Sequence, residues 1–190
     1  MRAAEARAEH PVLKRLPRPS QRPSEQPGLR EVMAQFATGV TVLTSAGDAA
    51  HGMTANAFSS VSIDPPMVLC CVSRAARMHA SIVSAKSFAV SMLGADQREL
   101  ARYFADWRRP GGLAQFDSVD WTAGPCTEAP LLTGALAWLE CELRQVYEGG
   151  DHSIFLGEVV SASRGTGREA LVFFGGGYHP VTSQVRGATA

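Results

Sequence analysis

Long apolar runs, a cysteine framework and an excess of either charge are all missing from this chain of 190 residues. Its longest uninterrupted apolar stretch, Met67 to Val72, is far shorter than the about 20 residues that a membrane-spanning helix needs. No apolar segment of the kind a secretory signal requires lies near Met1, and Glu5 and Glu9 are out of place in a transit peptide. The expected location is cytoplasmic, away from any membrane. Eighteen basic and eighteen acidic side chains cancel, but residues 1 to 25 hold six basic and three acidic ones, leaving twelve basic and fifteen acidic in the remainder. A mildly acidic body lacks the basic face of a nucleic-acid groove, so no nucleic-acid partner is expected. The four cysteines have no zinc-type spacing: Cys70 and Cys71 are adjacent in an apolar run and point to opposite faces of a strand, while Cys126 and Cys141 are isolated. They read as reduced thiols, and no metal site is expected.

What is present fits one domain with enough length to bury a sizeable core. Five of the eleven prolines (Pro11, Pro17, Pro19, Pro23 and Pro27) lie in the first 28 residues among Arg, Glu, Gln and Ser without apolar periodicity. Residues 1–27 therefore read as a disordered extension, 28–182 as the folded domain and 183–190 as a tail. Leu29, Val32, Met33 and Phe36 fall at the spacing of one apolar helix face. Val40 to Ser45, Gly47-Asp48 and the residues from His51 onward read as a hairpin, and Met67 to Val72 as a buried strand. A helix is predicted between Ala75 and Lys86, a strand over Phe88 to Leu93, and a helix from Asp96, with Glu99 at its third position, to Phe104 or Ala105. The last third is strand and turn: Ala135 to Tyr147, Ser153 to Ser163 and Ala170 to Phe174. About six antiparallel strands with two or three helices predict a mostly β protein, a small closed barrel rather than a doubly wound sheet. Gly165-Thr166-Gly167-Arg168-Glu169-Ala170 mimics a dinucleotide fingerprint, but the strand-like Leu171-Val172-Phe173-Phe174 follows where that motif needs a helix.

The stretch from Gly52 to Leu69 is the most informative. Thr54, Ser59, Ser60 and Ser62 supply hydroxyls and Asn56 an amide, while Gly52, Ala55 and Ala57 let a ligand approach the backbone. Such a strip suits a planar heterocycle bearing a phosphate, or it is an ordinary sheet with serines on its wet face.

Gly52-Met53-Thr54-Ala55-Asn56-Ala57-Phe58-Ser59-Ser60-Val61-Ser62-Ile63-Asp64-Pro65-Pro66-Met67-Val68-Leu69 closely resembles the signature of the short-chain flavin reductases, the NAD(P)H:flavin oxidoreductase partners of two-component monooxygenases. Phe36 to Thr44 is similar to that family's opening motif, Ser87 to Leu93 to its central strand, Gly149-Gly150-Asp151-His152 through Val159 to its late hairpin, and Leu171 to Tyr178 to its closing motif. The resemblance covers roughly residues 29 to 180, in family order. It implies a closed antiparallel Greek-key split β-barrel with a few short helices, a homodimer, and flavin sites near the subunit boundary.

By matching positions, the resemblance places the family's flavin contacts on Asn56, Ala57, Phe58, Ser59, Ser60, Ser62 and Ile63, with Thr54 in the same block, and on Arg77, Met78 and His79. Asn56 and nearby amides are the candidates for the isoalloxazine edge; Ser59, Ser60 and Arg77 are those for the ribityl phosphate, which a guanidinium suits. Read alone, Arg77 is equally a solvated helix residue. His152 matches the histidine that lies beside the dinucleotide, although after Gly-Gly-Asp it also reads as a turn residue. Phe174, Gly175, Gly176 and Gly177 match dinucleotide contacts, or form a flexible loop. Three departures stand out: Ala57, Ser91 and Gln115 replace the family's usual Ser, Asn and basic residue. The implied activity is reduction of FMN or FAD by NADH or NADPH, delivering reduced flavin to a separate monooxygenase. The rivals are a non-catalytic flavin-binding or sensor module on the same barrel, and a structural subunit that docks to an oxygenase.

Overall fold

Alternation of side chains builds the central strands of this computed structural model, which describes residues 28–182; the expected extension 1–27 and tail 183–190 lie outside the described residues. In chain order the elements are α1 (Leu29–Met33), β1 (Thr38–Gly39), β2 (Thr41–Ser45), β3 (His51–Ala55), β4 (Phe58–Ile63), β5 (Pro66–Ser73), α2 (Arg77–Ala85), β6 (Ser87–Met92), α3 (Arg98–Ala105), β7 (Trp121–Ala123), β8 (Pro130–Leu132), β9 (Ala137–Gly149), β10 (His152–Arg164), β11 (Glu169–Phe174) and β12 (Gly177–Thr182). Short 3-10 turns cover Ala95–Gln97 and Gly112–Phe116. No described helix is long and apolar enough to cross a membrane. The four cysteines are free thiols, and no metal-binding cluster occurs among the described residues.

Seven strands form an antiparallel ladder in the order β3-β2-β6-β9-β10-β5-β4. Its two edges, β3 and β4, are consecutive in the chain and joined only by Asn56 and Ala57; Ala57 O accepts a hydrogen bond of 2.9 Å from Cys71 N. The ladder itself is not closed by strand pairing among the described residues. A three-stranded sheet, β1-β11-β12, and a β7-β8 pair flank it. Along β5, Val68, Cys70 and Val72 face inward while Leu69, Cys71 and Ser73 face the other side, opposite Leu156, Ile154 and His152 of β10.

Two apolar clusters hold these layers together. Met78 and Ile82 seat α2 against Leu43, Cys70, Phe88, Val90 and Phe155. Phe104 and Ala101 seat α3 against Val40, Val42, Phe116 and Leu171. Burying each of the large aliphatic and aromatic side chains among these contributes about 1.5–3 kcal/mol. The packing is close enough to require glycine: a Cβ on Gly52 would lie 2.5 Å from the Phe104 ring, and one on Gly157 would lie 2.7 Å from Phe88.

Several expectations need correction. Asp96 does not cap the second helix: Gly94 N–H donates to Gln97 Oε1 at 3.0 Å, a 3-10 turn follows, and α3 starts at Arg98. The short first helix is present but ends at Met33, before Phe36, and Leu29, Val32, Met33 and Phe36 stand 66, 52, 52 and 63% exposed on the surface. Gly175 and Gly176 (φ 59° and 80°) form the turn of the β11-β12 hairpin, where positive φ at both positions favours glycine, rather than a loose loop.

Candidate functional site

The β3-to-β4 crossing creates a cavity of about 450 Å³. Asn56, Ala57, Phe58 and Ser59 form one wall, Leu69 and Cys71 of β5 the floor, and Met33, Phe36 and Thr38 the side toward α1. Most of its lining is apolar, with the Asn56 amide and the Ser59 hydroxyl as polar points. Thr38 Oγ1 is buried and has no hydrogen-bond partner among the described residues. An unsatisfied buried hydroxyl costs about 1–3 kcal/mol, so it favours a ligand that brings a polar atom to it. Burial pushes the Cys71 thiol up, so it serves as a neutral wall. A flat, mainly apolar ring with a polar edge fits this donor set, and a flavin has that chemistry.

Arg77 lies elsewhere. It starts α2, whose N-cap Ala76 offers no side-chain oxygen, and lines a second cavity of about 310 Å³ with His51, Met53, Phe104, Trp107 and Arg109. Met53 of β3 borders this cavity and Asn56, three residues on, borders the first. Gln115, at the position where the family usually carries a basic residue, is fully buried: it accepts from Gly52 N–H at 2.8 Å and donates to Gly112 O at 2.6 Å.

Other anticipated residues have structural duties. Thr54 Oγ1 donates to Ala101 O at 2.7 Å and ties β3 to α3. Met78 is buried in the core and lines neither cavity. His79 Nε2 lies 2.9 Å from Ser153 Oγ, and its ring packs edge-on against Phe155. Ser60 is exposed on β4, Ser62 sits beyond a bulge, and Ile63 is 89% exposed at the strand's end.

His152 opens β10 opposite Ser73 and stays half-exposed. Its Nδ1 lies 2.8 Å from Asp151 Oδ1, and that bond, followed by the charge of the ring, holds the Asp151 carboxyl below its ordinary range. Phe174 is exposed beside the glycine turn. Gly175 N–H donates to Ala34 O at 2.7 Å, which pins the hairpin tip to the end of α1, next to Met33 of the first cavity. The structure thus gathers Asn56 to Ser59 around one cavity; the Phe174 to Gly177 turn reaches only its α1 side, through Ala34, His152 lines neither cavity, and Arg77 belongs to the neighbouring one. Thr38, Leu69 and Cys71 were not singled out from the sequence; nor were His51, Trp107 and Arg109. Thr38 was visible inside the opening motif, whereas Arg109 carries no signal beyond an Arg-rich loop.

Residues 33–182 match the family described as flavin reductase like domain. The chain is 52% identical over 154 residues, covering 81% of it and 85% of the relative, to the NADH-dependent FAD reductase of Streptomyces globisporus. It is 36% identical over 150 residues (78% and 74%) to the reductase subunit HsaB of a flavin-dependent monooxygenase from Rhodococcus jostii strain RHA1. Among solved structures, it superposes with a TM-score of 0.79 and 48% identity, over 82% of this chain and 98% of the other, on BorF, the flavin reductase component of a bacterial two-component tryptophan halogenase.

Proposed function

The chain belongs to the flavin reductase like family, and from that premise we propose that it reduces free flavin, FAD or FMN, with NADH and supplies the reduced flavin to a separate oxygenase component. Reduced nicotinamide carries the hydride and oxidised flavin accepts it, so the protein's work is alignment and exclusion of water rather than acid or base chemistry. The observation that carries this reading is the largely apolar cavity at the β3-to-β4 crossing, with the Asn56 amide and the Ser59 hydroxyl as polar points and Thr38, whose buried hydroxyl has no partner among the described residues, in its lining. Thr38 and Asn56 would satisfy heteroatoms at the polar edge of the ring, and Phe58, Leu69 and Cys71 would exclude water from its faces. Arg77 and the uncapped first turn of α2, in the neighbouring cavity, suit the ribityl phosphate, since helix-start amides favour an anion; Ser59 lines the ring cavity and Ser60 is exposed on β4, so neither is assigned to that phosphate. His152 and the Phe174 to Gly177 turn are assigned to the nicotinamide dinucleotide.

The crossing of Asn56 and Ala57 between the ladder's two edges supports a split Greek-key barrel. The exposed apolar residues of α1 support a homodimer: Met33 and Phe36 also line the cavity, so a second copy covering them would complete the site. Four free thiols suit a reducing cytoplasm. The decisive experiment follows nicotinamide oxidation by the purified full chain with FAD, with FMN and without flavin, using NADH and NADPH in turn. Turnover that requires added flavin supports the proposal. Flavin binding without nicotinamide oxidation would instead make the chain a binding module.

A further inference from the structure

The cavity of about 310 Å³ between β3, the start of α2 and the residues after α3 holds two guanidinium groups and no carboxylate lining. Arg109 is only 9% exposed, and its partners are neutral. Nε donates to Gln115 Oε1 at 3.3 Å, Nη1 to the Asp106 main-chain oxygen at 2.7 Å, and Nη2 to His51 Nε2 at 3.0 Å and to Gly52 O. These contacts occupy four of its five N–H groups and leave one on Nη1. The Asp106 carboxylate is taken by Arg108, at 3.0 Å. Neither Arg109 nor Arg77 forms an ion pair among the described residues. The two guanidiniums share the cavity, and the loop after α3 reaches Arg77: its Nη1 would lie 3.4 Å from a Cβ on Gly111. His51 adds no positive charge near neutral pH, because burial and then the neighbouring Arg109 and Arg77 lower its pKa to about 4.

A buried cation whose hydrogen bonds all go to neutral groups, with the Asp106 carboxylate acting on it only from a distance, is costly, and an anionic ligand relieves that cost. Beside these cations Trp107 stands 79% exposed on the cavity rim, and Phe104, with Arg109 Cζ 5.7 Å from its ring centroid, forms a wall. Two guanidiniums for phosphate oxygens next to an open indole face describe a site for a purine nucleotide phosphate.

We propose that this cavity binds the adenosine-phosphate half of a dinucleotide, with Arg109 on its phosphate oxygens and Trp107 stacked on the purine, beside the Arg77 assigned to the ribityl phosphate. The dinucleotide's identity rests on the proposed function, since FAD and NADH both carry this half; the adenylate site itself does not. Arg109 is then a specificity residue, and it stands on a scaffold that Gln115 makes possible: the buried amide holds both Gly52 and the Arg109 Nε in place.

The test is calorimetric titration of the flavin-free full chain with ADP, repeated on Trp107→Ala and Arg109→Gln. ADP should bind the parent and bind each variant about tenfold more weakly. Trp107 is exposed, so its variant retains the fold even where Arg109→Gln does not. Failure of the parent to bind ADP, or equal binding by Trp107→Ala, overturns the proposal. The source is then read from steady-state kinetics. A purine of the flavin makes Trp107→Ala raise KM for FAD about tenfold more than for FMN; a purine of the nicotinamide makes it raise KM for NADH about tenfold more than for reduced nicotinamide mononucleotide. A chain that binds ADP through Trp107 but oxidises no nicotinamide with either flavin would overturn the proposed function and leave the adenylate site standing.

Discussion

His51 Nε2 accepts a hydrogen bond from Arg109 Nη2 at 3.0 Å, and the imidazole is therefore held neutral beside a buried guanidinium. Burial is the main cause of its lowered pKa of about 4, followed by the charges of Arg109 and Arg77, against an ordinary value of 6.5. Above pH 6.5 the ring is neutral whether the chain is folded or unfolded. As pH falls from 6.5 toward 4, the unfolded chain takes up a proton here and the folded chain does not, so stability falls by up to about 1.4 kcal/mol per pH unit, about 3 kcal/mol in all. Urea unfolding measured across this window should show that loss, and His51→Gln should flatten the pH dependence. A parent and variant with parallel profiles would remove His51 as the titrating group.

Much of the fold is readable from periodicity, because an antiparallel ladder with one face buried imposes a period of two; Val68, Cys70 and Val72 mark β5 in this way. The strand β12 escaped detection because Pro180 interrupts it, which is tolerated only since β12 is the edge of the order β1-β11-β12. An apolar stripe on α1 was visible, but a stripe states that a surface is to be covered and not which surface covers it. At the site, the contiguous Asn56 to Ser59 segment was legible through resemblance. Arg109 was not, since its role comes from Gln115, Gly52 and His51, which are brought to it only by tertiary packing.

Replacing Thr38 by valine separates binding from stability. Its hydroxyl is buried and makes no hydrogen bond among the described residues, so the isosteric Thr38→Val change removes a desolvated polar atom from the free protein and should leave unfolding stability equal or slightly higher. Flavin affinity should fall by about fivefold to tenfold, the worth of one hydrogen bond near 1 kcal/mol. Flavin fluorescence titration and chemical unfolding read the two effects. A stability loss with unchanged flavin affinity would give Thr38 a purely structural role.

Arg77→Ala tests the phosphate assignment. The side chain is exposed at the first position of α2 and has no ion pair among the described residues, so its removal should cost the fold little. A charge-assisted bond to phosphate is worth about 1.5–3 kcal/mol, which predicts about ten- to a hundredfold weaker FMN binding. Riboflavin, lacking the phosphate, should be affected far less. Equal weakening of both ligands would move Arg77 away from the phosphate.

His152 is the residue assigned to orient the nicotinamide, and its chemistry limits what its loss can do. Hydride transfer gives no proton to a side chain in the transition state, so the imidazole contributes placement rather than acid or base catalysis. It stands half-exposed at the start of β10, on the outward side shared with Ser73, and Asp151 Oδ1 at 2.8 Å from Nδ1 restrains its ring. His152→Ala should raise KM for NADH or slow hydride transfer in single-turnover experiments, while flavin affinity stays within a few-fold of the parent. His152→Asn keeps a polar planar group and should recover part of the loss. Asp151→Asn should give a smaller loss of the same kind, because it keeps a hydrogen-bonding partner but weakens the restraint on the ring. If His152→Ala instead abolished flavin binding and left the NADH dependence intact, His152 would belong to the flavin pocket, and the nicotinamide would have to be placed by the Phe174 to Gly177 turn alone.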